Sequence, residues 1–352
     1  MVAFLINAKG ENVRMTNKKN SNDTVIHEFA QAIKSERKKA QMNQLAPLLV
    51  FLVLVIFFSV AAPGFFSFNN LTAIMNQLAI PLILAIGVTF VIITGSIDLS
   101  IDGLMGLTGT MVAYFILNNT TNLNLGFFGV VLAISIGAAI GAINGIIQVR
   151  FRIPSFLLTY GMSSIAAGIT LLVYRGIPIG IRDENFLRVA STSVLGLPVL
   201  MWIAIAVFIV AYTIQTYTPF GRYIYAVGSN ESILKSLGID VNRIKILVFA
   251  FSGMCIGIAG VLGAARLQRG DLLIGAHHLF PAITSVVLGG TSLLGGKGGV
   301  VNTLIGAVII AILNNGLILL GVNPHIITGM QGTIIILAVA FSIDRRRGTL
   351  NK

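Results

Sequence analysis

The sequence predicts an all-α polytopic membrane protein, and three observations predict it. Of the 352 residues, 55% are hydrophobic and only 10% are charged, whereas a soluble domain carries about 25% charged residues. The apolar residues fall in runs of about 20 separated by short polar stretches, the length a helix needs to cross the hydrocarbon core. The basic residues are unevenly spread: a net charge of +12 would suit nucleic acid, but its concentration in alternate polar segments is the positive-inside pattern. No nucleic-acid partner is needed to explain it. The single cysteine, Cys255, lies in an apolar run, which excludes a disulfide framework and a cysteine-based metal site.

Residues 1–45 form a polar, basic arm, too long before the first apolar run to be a signal peptide, with a candidate surface helix over 24–40. The body, 46–345, holds about ten spans. The first is 46–62, stopped by Pro63-Gly64, and the second is 72–94, with Pro81 inside it. An internal proline frees a carbonyl and kinks the helix, which lipid tolerates only where neighbours satisfy the backbone. The third is 103–117, followed by an Asn/Thr turn at 118–122. The fourth, 126–149, is glycine-rich and ends at Arg150 and Arg152; the fifth is 154–174. A polar loop over 175–196 leads to the sixth, 197–214. After a long polar interval come the seventh, 246–265, and the eighth, 277–290, which is short for a full crossing. The ninth is 300–320, the tenth 325–343, and a basic tail occupies 346–352. With both termini cytoplasmic, only Arg175, Arg182, Arg188, Arg266 and Arg269 of the 24 basic residues lie outside. The segment 136–145 echoes 305–316 (Ile-Gly-Ala-x-Ile-x-Ala-Ile, then Asn and Gly) in opposite orientation, the pattern of an inverted repeat.

The polar interval 215–245 carries one short helix signal. Ser229 or Asn230 can cap it, Glu231 suits its dipole, and Gly238 is a natural stop. Ile233, Leu234 and Leu237 share a face. A helix this short needs a partner surface, and Arg222, Lys235, Arg243 and Lys245 place it on the cytoplasmic side.

Four motifs carry a resemblance to a known family. Gly221, Ala226, Gly228, Asn230, Gly238 and Ile239 match the cytoplasmic coupling loop of ribose-type sugar permeases of ABC importers, with Ile233, Leu234 and Ser236 where small alanines are common. The stretch 94–103, Thr-Gly-Ser-Ile-Asp-Leu-Ser-Ile-Asp-Gly, is similar to the family's G-G-I-D-L-S-V-G, with Ser96 in place of the second glycine and Asp102 where glycine is usual. Residues 286–298 resemble V-L-G-G-T-S-L-x-G-G-x-G, and 314–317 resemble L-N-N-G-L within a longer run. The glycine-rich stretch is not a phosphate loop. Thr291 stands where the first glycine is required, and Gly298 follows Lys297 where Ser or Thr should be; its glycines let helices and a re-entrant turn approach closely.

The resemblance implies a type II ABC-importer-like permease that binds no cofactor, ATP and magnesium being held by partner ATPase subunits. It implies a second permease copy or paralogue, an extracytoplasmic sugar-binding protein and a bacterial inner-membrane setting. ATPase coupling falls to Gly221, Arg222, Ala226, Gly228, Asn230, Ile233, Leu234, Leu237 and Gly238. Candidate substrate-path residues are Asp98, Ser100, Asn144, Asn314, Asn315 and Gln331, since polar groups in membrane helices join helices or line a polar path. Asp98 has a competing role as a cap of the third helix, or as a contact to another subunit. Asp102 reads as a surface charge at the start of a helix. His277-His278 with Arg266, Arg269 and Asp271 reads as an external turn, with reception of the delivery protein as its functional alternative. Phe90, Tyr114, Phe156 and Tyr160 read as packing residues, with sugar stacking the alternative. An ion-driven carrier would keep ionisable residues at mid-span, and a membrane enzyme would need paired carboxylates or a metal cluster. Neither pattern is evident, so the chain is read as a transport subunit and not an enzyme.

Overall fold

The computed structural model describes residues 47–323 and 325–333. The arm 1–45 with its candidate helix, the second half of the tenth span and the tail 346–352 lie outside the described residues. The described residues are mostly helical. α1 is Pro47–Ala61. α2, Phe68–Ile93, is started by Ser67, whose Oγ accepts the N–H of Asn70 at 3.2 Å, and it runs on through Pro81. Then come α3 (Ile101–Phe115), α4 (Phe127–Phe151) and α5 (Ser155–Tyr174).

The interval 175–198 is more than a loop. It holds the strand β1 (Ile179–Gly180), α6 (Glu184–Ser191) and the small hairpin β2 (Ser193–Val194) with β3 (Leu197–Pro198). Asp183 caps α6 by accepting the N–H of Phe186 at 3.1 Å, and Phe186 is the side chain that α6 buries. α7 (Val199–Tyr217) follows, then α8 (Pro219–Ser229) and α9 (Glu231–Ser236), so two helices occupy the interval where the sequence showed one. α10 (Val241–Leu267), β4 (Arg269–Gly270), a single 3-10 turn (Leu272–Ile274), α11 (Leu279–Leu288), α12 (Val300–Leu319) and α13 (325–333) complete the order.

Among the described residues, α2, α4, α5, α7, α10 and α12 are the six helices long and apolar enough to cross a membrane. α2 and α10 pack together at the centre; α3 and α4 lie against α10, and α7, α11 and α12 against α2. Small residues set the closest approach. A Cβ at Gly141 would strike the backbone of Phe249, and one at Gly253 would strike that of Gly137, so α4 and α10 meet backbone to backbone, as membrane helices do where dispersion replaces the hydrophobic effect. α5 and α7 keep most of their apolar surface on the outside, 17% of each span being buried.

The irregular segments gather at two ends. At one, β1 pairs antiparallel with β4 and Asn118 bridges to Ile181; α6 lies in the interval between. At the other, the segment after α2, the glycine-rich 289–299 and the α8–α9 pair come together: Gly296 donates to the Ile93 carbonyl at 2.8 Å, and Gly228 abuts both.

The third expected span is corrected, and the eighth is short as its length in the sequence suggests: α3 has 15 residues and α11 has 10, too few to cross as helices alone. Each is preceded by irregular chain that runs within the bundle. From β4 the backbone descends along α3, with Gly270 against Thr110 and Ala113, Leu272 against Gly106, and Gly275 against Asp102. At 1.5 Å per residue, the eleven residues from Ala113 to Asp102 correspond to a descent of about 16 Å. α11 therefore starts halfway down the bundle, beside the start of α3. His277-His278 does not sit in the turn at the β4 end of the bundle: the chain has already run back along α3 to the level of Asp102 before it reaches them.

A coupling face and two broken crossings

Asn230 caps α9, its Oδ1 accepting the N–H groups of Ser232 and Ile233 at 3.1 and 3.3 Å. Gly238, at φ +76°, stops it in the left-handed conformation that glycine adopts freely. Ile233 and Leu237 are 58% and 70% exposed, an apolar pair facing outward. Leu234 is corrected: it is 6% exposed and packs into the chain's own core, because one turn of helix cannot turn all three side chains the same way. Arg222 is exposed.

Gly221 and Gly228 turn inward as well, and this too departs from a docking role. A side chain at Gly221 would collide with the Gln215 carbonyl, and one at Gly228 with the Ile93 carbonyl and the Gly296 nitrogen. Ala226 is half-buried. These small residues seat α8 on the body. Two polar residues missed in the sequence finish the seating. Gln215 Oε1 accepts the Val300 N–H at 2.9 Å, and the Tyr225 hydroxyl donates to the Gly298 carbonyl at 2.7 Å.

Glu231 forms a fork: its Oε1 meets Lys235 of α9 and its Oε2 meets Lys245 of α10, both at 2.7 Å. Partial burial pushes this carboxyl up, but the two lysines outweigh it and hold the group below the usual carboxylate range. The fork lines a cavity of about 590 Å³ with Gln148, Arg152 and Asn242.

The first broken crossing is 94–100. Its free N–H groups are taken by a ladder of hydroxyls on α5. Ile97 donates to Ser155 at 2.9 Å, Leu99 to Thr159 at 2.8 Å, and Gly103, in the first turn of α3, to Ser163 at 3.1 Å. Ser155, Thr159 and Ser163 are spaced by four, so they stand on one face of the helix. That spacing is visible in the sequence, but nothing there says that a backbone runs alongside it. Asp98 is 1% exposed. Its Oδ1 accepts the Ser100 N–H and hydroxyl at 2.9 and 2.6 Å, and its Oδ2 accepts the Ser252 hydroxyl of α10 at 2.9 Å. It caps a turn and ties that turn to the middle of α10; it does not bond the first-turn N–H groups of α3. Gln148 donates to Ser96 at 3.2 Å.

The second broken crossing, 268–278, rests on Asp102. This carboxylate accepts the Leu279 N–H at 2.8 Å, and the N–H groups of His277 and His278 turn towards it. Asp102 is half-buried, and it is a bridge between two helix starts rather than a surface charge. His277 has φ +67°, an uncommon conformation for a non-glycine residue.

The expected path residues do not share one surface. Asp98, Ser100, Asn144 and Asn315 are all at most 3% exposed inside the chain. Neither amide atom of Asn144 has a partner among the described residues. Asn314 and Gln331 pair with each other, Nε2 to Oδ1 at 2.7 Å, joining α12 to α13. Of the aromatics, Phe90 is buried against Phe251, while Phe156 and Tyr160 on α5 are 47% and 66% exposed. Among the described residues no group of three or more His, Cys, Asp or Glu could hold a metal.

Buried polar turns inside an apolar bundle, with a capped helix seated on its end, belong to an all-α polytopic membrane protein. A family model described as branched-chain amino acid transport system / permease component matches residues 70–339, and the chain belongs to this family. It is 39% identical over 305 residues to the ribose import permease protein RbsC of Escherichia coli, covering 86% of this chain and 94% of that one. It is 34% identical over 308 residues to the RbsC of Bacillus subtilis, covering 87% and 94%. It is also 34% identical over 294 residues to the D-allose transport system permease protein AlsC of Escherichia coli, covering 84% and 89%. No solved structure matches.

Proposed function

We propose that the chain is the membrane-spanning subunit of an ATP-driven importer that carries a monosaccharide, ribose or a similar sugar, into a bacterial cell across its inner membrane. The observation that carries the reading is the outward pair Ile233 and Leu237 on the capped helix α9, which Glu231 ties to α10 and which follows α8, seated on the end of α2. Such a pair suits a groove on a cytoplasmic ATPase, the helix-in-groove mode. The ATPase subunits hold ATP and magnesium, and this chain supplies no catalytic group. A second permease copy or paralogue completes the passage, and an extracytoplasmic binding protein delivers the sugar to the α6 end. The sugar itself is argued from the cargo of the relatives.

About ten crossings, with both termini cytoplasmic and an inverted repeat, belong to the same proposal. The packing favours the repeat. α3 and α4 lie on α10 as α11 and α12 lie on α2, and α3 meets α4 as α11 meets α12. In each set it is the first-named element, α3 or α11, that begins halfway through the bundle.

The test is uptake in liposomes. The chain is reconstituted with its candidate ATPase and binding protein and offered a panel of labelled monosaccharides. Uptake that needs all three proteins and ATP supports the proposal and names the cargo. Uptake by this chain alone, driven by a proton or sodium gradient, overturns it.

A further inference from the structure

His277 stands on irregular backbone at the inner foot of the 268–278 segment, at the depth where α3 and α11 begin. It is exposed, as are its neighbours Leu273 at 62% and Phe280 at 60%. Lipid does not accept this combination. Non-helical backbone at membrane depth is found only where protein buries it or water reaches it, and an ionisable side chain there faces a bundle interior or a water-filled cavity. Nothing in this chain covers His277 among the described residues, so its face meets either a second permease copy or water, and the polar ring on irregular backbone favours water. Its conformation is also imposed. Its left-handed φ lies two residues before the Leu279 N–H that Asp102 accepts at 2.8 Å, and residues held in sparsely populated conformations cluster at functional sites. The sequence singled out Asp102 as a departure from the family's glycine, so the clamp goes with this chain's own residues.

We propose that His277, clamped through its backbone by Asp102, lines the sugar passage halfway through the membrane and hydrogen-bonds a hydroxyl of the sugar in transit. An imidazole suits this role, since its two ring nitrogens can donate to and accept from a polyol. Asp102 acts as a positioning residue, because its own acceptors are directed at the backbone. The role of His277 towards sugar rests on the reading of the chain as a sugar permease, while the claim that it borders water does not.

The experiment separates the two. The chain has one cysteine, Cys255, and it is buried, so a cysteine at position 277 is the one accessible thiol among the described residues. In proteoliposomes, His277→Cys is treated with a charged, membrane-impermeant thiosulfonate. Ile209→Cys on α7, also exposed in the single chain at 56%, is the lipid-facing comparison. Labelling at 277 about tenfold faster than at 209, and slowed by the transported sugar, supports the proposal, the charged reagent being excluded from hydrocarbon. An unreactive 277 overturns the water-lined face whatever the cargo. Labelling that no sugar slows overturns the sugar contact. Where His277→Cys does not fold, Leu273→Cys on the same segment gives the same reading. In uptake assays, His277→Ala raises the half-saturating sugar concentration about fivefold, the loss of one hydrogen bond, and His277→Gln restores most of it. Unchanged half-saturation in His277→Ala across the sugar panel overturns the contact.

Discussion

Between α2 and α3 the irregular chain gives its N–H groups to neutral hydroxyls spread along α5; between α10 and α11 it turns them to one carboxylate on α3. The first arrangement shares its load over three rungs on a separate helix, each near a neutral hydrogen bond in strength, about 1 kcal/mol. The second concentrates its load in a single charged residue, where a hydrogen bond is worth about 1.5–3 kcal/mol. The chemistry follows the neighbours. The 94–100 segment follows Ile93, whose carbonyl lies against Gly228 of α8, and its rungs fasten it to α5 along its length. The 268–278 segment is pinned to α3 at a point, which holds a turn in place without holding a whole helix.

The comparison is broken most completely by removing the drive to one side of it. Leu237→Asp places a charge in the apolar docking pair and should weaken docking by about 2 kcal/mol or more, as loss of an anchor does. ATP-dependent uptake falls to background while membrane insertion is unchanged, and normal uptake would remove α9 from the coupling role. Next in size is Asp102→Gly, which strips the clamp and should lower stability by about 1.5–3 kcal/mol. Asp102→Asn keeps an acceptor and should lose about half as much; equal melting temperatures for the two in detergent would show that the carboxylate charge carries nothing.

Thr159→Val removes the middle rung, orphans the Leu99 N–H and should cost about 1–2 kcal/mol. Cross-linking between 94–100 and α5 would then report looser contact, whereas the same substitution should leave the 268–278 segment unmoved. The smallest effect is in the Glu231 fork. Its folded-state titration lies below the ordinary value of 4.5, so its contribution is present at neutral pH. That contribution is lost as the pH falls through the lowered value. Glu231→Gln should abolish this acid-side loss, and an unaltered stability profile between pH 3 and 6 would show the fork to be idle.

Much of this was legible in the chain. Apolar runs gave the helices, and the capping pattern at Asn230 and the stop at Gly238 located α9 to within a residue. The glycines of 289–299 were rightly taken to permit close approach, as Gly296 and Ile93 demonstrate. What was not legible depends on who lies alongside. Ser155, Thr159 and Ser163 look like ordinary polar residues until a backbone needs them. Leu234 cannot be distinguished from Ile233 by spacing alone, since only tertiary contact decides which of two adjacent apolar residues faces in. The shortness of the eighth span is visible in the sequence, but the place of His277-His278 is not, since no spacing shows that the Asp102 carboxylate meets the Leu279 N–H.

The Glu231 fork has one more consequence. It joins α9 to α10, and α10 runs unbroken from Val241 to Leu267. Packed along its flank against the backbone of α4 and tied through Ser252 to Asp98, α10 is held against both bending and turning. One of its ends carries Lys245, which meets α9, and the other leads through Gln268 into the strand paired with β1. The irregular segments at the two ends of the bundle therefore hang from one stiff post.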